Sequence, residues 1–279
     1  MTPYAAFLED RGVIRVSGPE AGAFLQGLVT NDVAALPIGG ARFAALLSPQ
    51  GKILFDFLVL RVPAQDGAAF LLDCAAALAA DLAKRLGFYR LRAKVGIADE
   101  SADHGVIAFW GEAPENAPGG FIYADPRDAR LGHRAILPRA KAIAVGEGDA
   151  AAYHAHRIAL GVPEGGADFA YGDAFPADAN MDLLNGLDFE KGCYVGQEVV
   201  SRMRHRSSVR KRIVRLSYSG EAPPPGTPVM AGETTLGVLG SSAAGVALAA
   251  LRLDRLEEAQ AEHNKIICSG TVVYSIGLP

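Results

Sequence analysis

The most informative segment of the chain reads Lys191-Gly192-Cys193-Tyr194-Val195-Gly196-Gln197-Glu198. From Val195 onward, apolar residues recur at helical spacing as far as Met203, which predicts an amphipathic helix. The acidic residue of this helix comes early and its arginines come late, an order that complements the helix dipole. Cys193 would then lie just before a helix N-terminus and two residues from Lys191, and both features stabilise a thiolate. The segment therefore predicts a reactive or metal-binding thiol, with a small buried hydrophobic residue as the alternative.

The other two cysteines, Cys74 and Cys268, lack such a setting and are expected to be structural. Three scattered cysteines without a CxxC spacing do not make a disulfide framework, so reduced thiols are expected. No basic leader is visible at the N-terminus, and the apolar runs are far shorter than the roughly 20 residues of a membrane span. We therefore predict a cytoplasmic protein without a membrane partner.

The length of the chain and its pattern of strand-like and helix-like segments indicate several compact units. The 279 residues exceed the ~100–200 residues of a usual domain, so two or three units are expected. Strand-like and helix-like segments alternate irregularly at first, including a helix over residues 75–86 closed by Gly87, which predicts the α+β class. After Lys211 short β-rich runs lie between glycines and prolines, which predicts a small C-terminal β-barrel or sandwich.

The octapeptide also resembles the K-G-C-[FY]-x-G-Q-E signature of the YgfZ-type folate-binding proteins and their mitochondrial relatives. These are similar to the T-protein (aminomethyltransferase) of glycine cleavage. Further segments that look like blocks of this family are residues 24–33, 156–163, 180–183, 186–187, 237–238 and 247–252. The resemblance implies a three-part fold around a central channel that holds a tetrahydrofolate. It also implies a role in the assembly or repair of iron–sulfur clusters, with assembly factors and client enzymes as partners.

The same resemblance implies a division of the chain into three parts. Residues 1–35 and 100–207 would form the α+β folate-binding part with the cysteine loop. Residues 36–99 would form an inserted α+β part, and residues 208–279 the barrel.

Departures from the T-protein pattern bear on the chemistry. T-proteins typically have an aspartate where Cys193 stands, and a glutamate that recognises the pterin where Ala159 stands. Their Asn-Ala motif is replaced by Asp73-Cys74. A pterin site without its carboxylate loses a charge-assisted hydrogen bond of about 1.5–3 kcal/mol. An accessory protein is therefore expected rather than an aminomethyltransferase, and a folate-dependent one-carbon transferase is the alternative.

The site residues carried over from the resemblance fall into three groups. Cys193 and Lys191 are the predicted catalytic residues, and Cys193 is also a candidate ligand of a transient iron–sulfur cluster. The motif loop adds Gly192, Tyr194, Gly196, Gln197 and Glu198. The predicted folate-binding residues are Asn31, Tyr89, Arg157, Asp182 and Arg202.

Two charged segments of the sequence each fit more than one role. Basic residues are densest from Arg202 to Arg212, including Arg204 and Arg206. They would form a solvated helix end, a seat for the anionic tail of folate, or an RNA contact. The net charge of −4 makes nucleic acid the weaker reading. Residues 88–94 alternate aromatic and basic side chains, which fits either a pterin or aminobenzoate pocket or a half-buried strand with a charged outer face.

Overall fold

The structure is a computed structural model that describes residues 4–111, 117, 119–146, 148–205 and 209–279. The strands within these residues are β1 (Ala5–Leu8), β2 (Arg11–Gly18), β3 (Ala41–Leu47), β4 (Ile53–Val62), β5 (Ala68–Ala75), β6 (Gly96–Asp99), β7 (His104–Phe109), β8 (Phe121–Ala124), β9 (His133–Pro138), β10 (Lys211–Tyr218), β11 (Pro228–Ala231), β12 (Thr234–Ala243), β13 (Val246–Arg252), β14 (Ile266–Cys268) and β15 (Thr271–Gly277). The helices are α1 (Ala21–Gln26), α2 (Ala79–Arg90), α3 (Arg139–Val145), α4 (Ala150–Leu160), α5 (Gln197–His205) and α6 (Leu253–Ala261).

A five-stranded antiparallel sheet, in the order β3-β4-β5-β2-β6, forms the centre of the first part. Its strands are buried on both faces, as β4 illustrates. Phe57 and Val59 point to the core beneath α1 and α2, whereas Leu58 and Leu60 point to a core shared with the second sheet. A strand buried on both sides reads as a continuous apolar run, as residues 57–60 do.

The second sheet has the order β1-β7-β9-β8 and carries α3. Strand β2 lies in the first sheet, because its residues pair one-for-one with β5 and so satisfy both backbones. Strand pairing therefore joins residues 11–18 to the predicted inserted part, residues 36–99. The division that the resemblance implies groups them instead with residues 1–35 and 100–207.

The C-terminal part is a closed six-stranded barrel in the order β10-β13-β12-β11-β14-β15. Its interior is filled by side chains such as Leu216, Val229, Leu236 and Leu251. The predicted fold, α+β with a C-terminal β-barrel, is confirmed.

Two predicted helix boundaries are wrong. Helix α2 continues through Gly87 to Arg90, because the half-buried Tyr89 extends the apolar stripe of Leu82 and Leu86. The strand considered for residues 88–94 is therefore not formed, and helix α5 begins at Gln197 rather than Val195. None of the described helices is long and apolar enough to cross a membrane.

Candidate functional site

A cleft of about 710 Å3 lies beside the segment that leads into the motif loop. A neighbouring cavity of about 320 Å3 shares Leu187, Phe189 and Arg204 with it. The cleft is lined by Asn31, Gly39, Gly40, Ala41, Arg42, Tyr123, Ala124, Pro126, Asn185, Leu187, Asp188, Phe189, Glu190 and Arg204. The segment that immediately precedes the cysteine motif therefore forms one wall of the cleft.

This segment is held by hydrogen bonds at its turn. The Asp188 backbone N–H donates to the carbonyl of Thr30 at 3.0 Å. The Asp188 carboxylate accepts from the backbone N–H groups of Glu190 and Lys191 at 2.8 and 3.0 Å. An aspartate that binds backbone two and three residues ahead fixes a turn. The chain is thereby directed from the cleft wall into the motif loop.

Lys191 fixes the loop to the end of α1. Its ammonium donates to the carbonyls of Gln26, Val29 and Asn31 at 2.9, 2.6 and 2.8 Å. These three bonds use all the N–H donors of an ammonium. Burial lowers the pKa of Lys191 to about 8, whereas the three acceptors favour the charged form. The Lys191 ammonium therefore binds the backbone of residues 26–31. This geometry makes Lys191 a residue that positions the motif loop.

Gly196 allows the other end of the loop to touch the β3–β4 turn. Its φ is +83°, and a Cβ atom would lie 2.6 Å from the Ser48 carbonyl oxygen. Gly51 in that turn has φ +78°, and its Cβ would lie 2.9 Å from the Cβ of Val199. Only glycine combines such a backbone with so close an approach. Both glycines therefore fix the position of the loop and of α5.

Cys193 is exposed between these two attachment points. It lies four residues before the first residue of α5. Gly192 is also exposed, whereas Tyr194 is buried with its ring 5.2 Å from the Lys191 ammonium, and burial raises its pKa to about 12. Cys74 and Cys268 are both buried. Burial raises the pKa of Cys74 to about 12 and also raises that of Cys268. Of the three thiols, Cys193 is the accessible one.

The remaining motif residues lie on the first turn of α5. Gln197 is half-buried. Glu198 is exposed and forms an ion pair with Arg202 at 2.7 Å. Such an exposed i,i+4 pair contributes about 0.3–0.5 kcal/mol, so it steadies the helix only slightly.

Two predicted folate-binding residues lie at the cavities. Asn31 lines the cleft, although its amide donates to the backbone carbonyls of Phe43 and Asn185. Asp182 lines the smaller cavity and forms a two-pronged ion pair with Arg212 at 2.6 and 2.7 Å. Asn31 also contacts the motif loop, because its carbonyl accepts from Lys191, whereas Asp182 lies in the neighbouring cavity.

The other three do not line either cavity. Arg202 is exposed and paired with Glu198. Tyr89 packs against the core beneath α2. Arg157 is buried and forms ion pairs with Asp168 at 3.0 Å and Glu164 at 3.1 Å. Asp168 in turn accepts hydrogen bonds from the backbone and hydroxyl of Ser241 on β12, so this group fastens the barrel to the rest of the chain.

Arg204 is the basic residue that sequence reasoning did not separate from its neighbours. Its guanidinium lies 4.1 Å from the centre of the Phe189 ring, at the boundary of the two cavities. A cation over an aromatic face is attracted by the ring quadrupole. Arg206, part of the same predicted strip, lies outside the described residues.

A buried ionic network between the two sheets was missed by the sequence analysis. Asp73 on β5 accepts from Arg11 at 2.6 Å and from Arg134 at 2.7 Å. Arg134 also contacts Asp125 at 3.0 Å. Burial alone would raise the pKa of Asp73, but the two arginines lower it overall. A charged residue inside an apolar strand, such as Asp73 after two leucines, was the available signal.

A cluster of Asp10, His154 and Glu164 has ligand atoms within 4.8 Å of one another. Arg157 already occupies this cluster, since its Nε donates to His154 Nδ1 at 3.1 Å and its guanidinium pairs with Glu164. Because the Arg157 guanidinium already pairs with these side chains, the cluster is an ion-pair group, and we assign no metal to it.

Comparisons with known proteins define the class first. A family model described as the GCVT N-terminal domain matches residues 9–116, and one described as the CAF17 C-terminal beta-barrel domain matches residues 210–274. The glycine cleavage system aminomethyltransferase T from Bartonella henselae superposes with a TM-score of 0.78 over 98% of this chain and 84% of that chain, at 20% identity. The chain has the fold of the glycine-cleavage T-protein.

The family follows from sequence relatives. The iron–sulfur cluster assembly factor IBA57 homologue of Mycosarcoma maydis, described as mitochondrial, is 39% identical over 79% of this chain and 59% of that protein. The mitochondrial IBA57 proteins of Mus musculus and Homo sapiens are 34% and 31% identical, over 78% and 90% of this chain and 67% and 78% of their own lengths. The chain belongs to the IBA57 family of iron–sulfur cluster assembly factors.

This result confirms the predicted link to iron–sulfur cluster assembly and to the aminomethyltransferase fold. The predicted cytoplasmic location is wrong by the same comparison, because the named relatives are mitochondrial proteins.

Proposed function

We propose that this chain is a folate-binding accessory factor of iron–sulfur cluster assembly, with a tetrahydrofolate in the 710 Å3 cleft and Cys193 as the working thiol. One observation carries the proposal. Residues 187–190 line the cleft, and the same segment continues directly through Lys191 to the exposed Cys193. A ligand in the cleft would therefore contact the segment that positions the thiol.

The lining of the cleft suits the chemistry of a folate. Its volume lies within the range of about 300–1,000 Å3 found for small-molecule sites. The carboxylates of Asp188 and Glu190 could accept from the amino and ring N–H groups of a pterin. Phe189 offers an aromatic face, and Arg42 and Arg204 offer cations for the carboxylates of a glutamyl tail. Tetrahydrofolate would supply a one-carbon carrier or a reductant, while these residues would bind and orient it.

Cys193 is proposed to act on a cluster or on a partner thiol. A thiolate ligates iron in iron–sulfur clusters, and a single exposed cysteine leaves the other ligands to a partner protein. The same thiolate could instead exchange with a partner's thiol. The assembly factors and client enzymes that the family name implies are the proposed partners.

Calorimetric titration with tetrahydrofolate tests the cleft. We expect saturable binding that tightens with added glutamates, because Arg204 attracts the anionic tail in a partly enclosed site. Arg204→Gln should weaken the preference for polyglutamyl folate, since it deletes one of the two cations of the cleft, the one at the cavity boundary. Arg202→Gln is the matched control, because that side chain is exposed and paired with Glu198. Absence of saturable binding, or equal effects of both substitutions, would contradict the proposal.

The alternative, a one-carbon transferase, is tested separately. Ala159 stands at the position of the T-protein's pterin-binding glutamate, is exposed, and lines neither cavity. We therefore expect no methylenetetrahydrofolate release from an aminomethyl-lipoyl carrier above background. Robust turnover would establish the alternative.

A further inference from the structure

We propose that the outer end of helix α2 binds the surface of an anionic phospholipid membrane. Two large apolar side chains project there, Phe88 with 63% and Leu91 with 87% of its surface exposed. Phe88 lies on the outward face of α2, because Leu82, Leu86 and Tyr89 occupy the core face. Leu91 is the residue at the helix end, with φ +43°, three residues beyond Phe88. We call these two exposed apolar side chains at the end of the helix the α2 tip.

The segment around the α2 tip is strongly basic. Residues 82–98 contain five basic residues and no acidic ones, in a chain with a net charge of −4. All five, Lys84, Arg85, Arg90, Arg92 and Lys94, are exposed. Within the described residues, none has an ion pair with a carboxylate side chain. Glu20 approaches this segment, but its carboxylate accepts from the backbone N–H of Lys94.

An anionic lipid surface matches this combination better than a protein does. Each basic residue near such a surface contributes about 1 kcal/mol of attraction, and exposed apolar side chains bury themselves at the boundary of headgroups and acyl chains. A protein partner, in contrast, would have to receive these apolar side chains in a shaped pocket. A protruding tip with five cations around it needs no pocket to bind a bilayer.

The place of the α2 tip in the fold leaves the candidate site free. Helix α2 packs on β2 and β6, at one edge of the five-stranded sheet. The motif loop packs against the β3–β4 turn, at the opposite edge. Membrane contact through α2 would therefore leave Cys193 and the cleft accessible to partners. This revises the expectation of no membrane partner, which considered only spanning segments.

Co-sedimentation with vesicles tests the proposal on the full chain. We expect binding to vesicles of equal parts phosphatidylcholine and phosphatidylglycerol, and none to phosphatidylcholine alone. Phe88→Ser and Leu91→Ser should each weaken partitioning about tenfold, since each removes an apolar contact. Arg90→Gln and Arg92→Gln should each weaken it about fivefold. Raised salt should also weaken it, because the Debye length falls from about 8 Å at 0.15 M to 3 Å at 1 M.

The control is a pair of exposed apolar residues on the barrel, Tyr274→Ser with Ile276→Ser, which should leave partitioning unchanged. Thermal unfolding of each variant would show that the fold is kept. Equal binding to neutral vesicles, or unchanged binding after loss of Phe88 and Leu91, would overturn the proposal. So would a wild-type chain that ignores vesicles but binds single-stranded RNA through Arg90 and Arg92, which would identify a phosphate-binding strip.

Discussion

Replacement of Lys191 by methionine tests whether this residue holds the motif loop in place. Methionine keeps most of the length of the side chain and removes the ammonium with its three hydrogen bonds to Gln26, Val29 and Asn31. The side chain is buried, so the carbonyls that lose their partner are only partly reached by water.

The magnitude follows from three competing effects. A hydrogen bond to a charged group contributes about 1.5–3 kcal/mol, but the three bonds share one charge and do not add. Burial of the ammonium opposes them, as the pKa of about 8 indicates. We therefore expect Lys191→Met to lower the free energy of unfolding by about 2–4 kcal/mol, within the range of a broken buried network.

Urea unfolding followed by far-UV circular dichroism measures this change. Lys265→Met is the matched control, because Lys265 is an exposed lysine on the barrel and its loss should cost less than about 0.5 kcal/mol. If Lys191→Met were as stable as this control, the three short contacts would not fix the loop. A loss of Cys193 reactivity at unchanged stability would instead support the thiolate-pairing role predicted from the sequence.

Three further predictions concern the thiols, the buried network and the loop glycine. A chromogenic disulfide should react with one thiol quickly at neutral pH, because only Cys193 is exposed; Cys193→Ser should abolish the fast phase, and its persistence would contradict the structure. The lowered pKa of Asp73 gives stability that is present above its unfolded pKa of about 3.8 and is lost as pH falls through the lower folded value. Asp73→Asn should therefore cost about 3–5 kcal/mol near neutral pH and flatten the acid side of a stability–pH curve, whereas an unchanged curve would show that the arginines do not hold this carboxylate. Gly196→Ala should destabilise by about 2–3 kcal/mol through its left-handed backbone and the Ser48 contact, and Gly192→Ala, with open space around it, should not.

The sequence predicted best where local chemistry decides the structure. Glycines and prolines between short β-rich runs identified the barrel after Lys211. Gly87 misled the prediction because a helix-interior glycine costs only about 1 kcal/mol. The packing of Leu86 and Tyr89 against the core outweighs that cost, so α2 continues.

Long-range contacts explain what the sequence could not predict about the site. Lys191 is two residues from Cys193, yet the carbonyls that it binds lie about 160 residues earlier. No local pattern specifies the direction of a four-carbon side chain. The i,i+4 spacing of Glu198 and Arg202 predicts their ion pair, but no local pattern predicts that Arg204 stacks on Phe189 at the cavities. The position of Arg204 is decided only when the neighbouring segment is in place.

The arrangement of the motif loop suggests how a ligand could influence the thiol. Lys191 attaches one end of the loop to the end of α1, and Gly196 attaches the other end to the β3–β4 turn. Cys193 lies between two fixed points, so its position depends on the short segment that separates them. Asn31 connects the two regions, because it lines the cleft while its carbonyl accepts from Lys191. A ligand that displaced Asn31 would therefore weaken one attachment of the loop, and thiol reactivity measured with and without tetrahydrofolate would report that coupling.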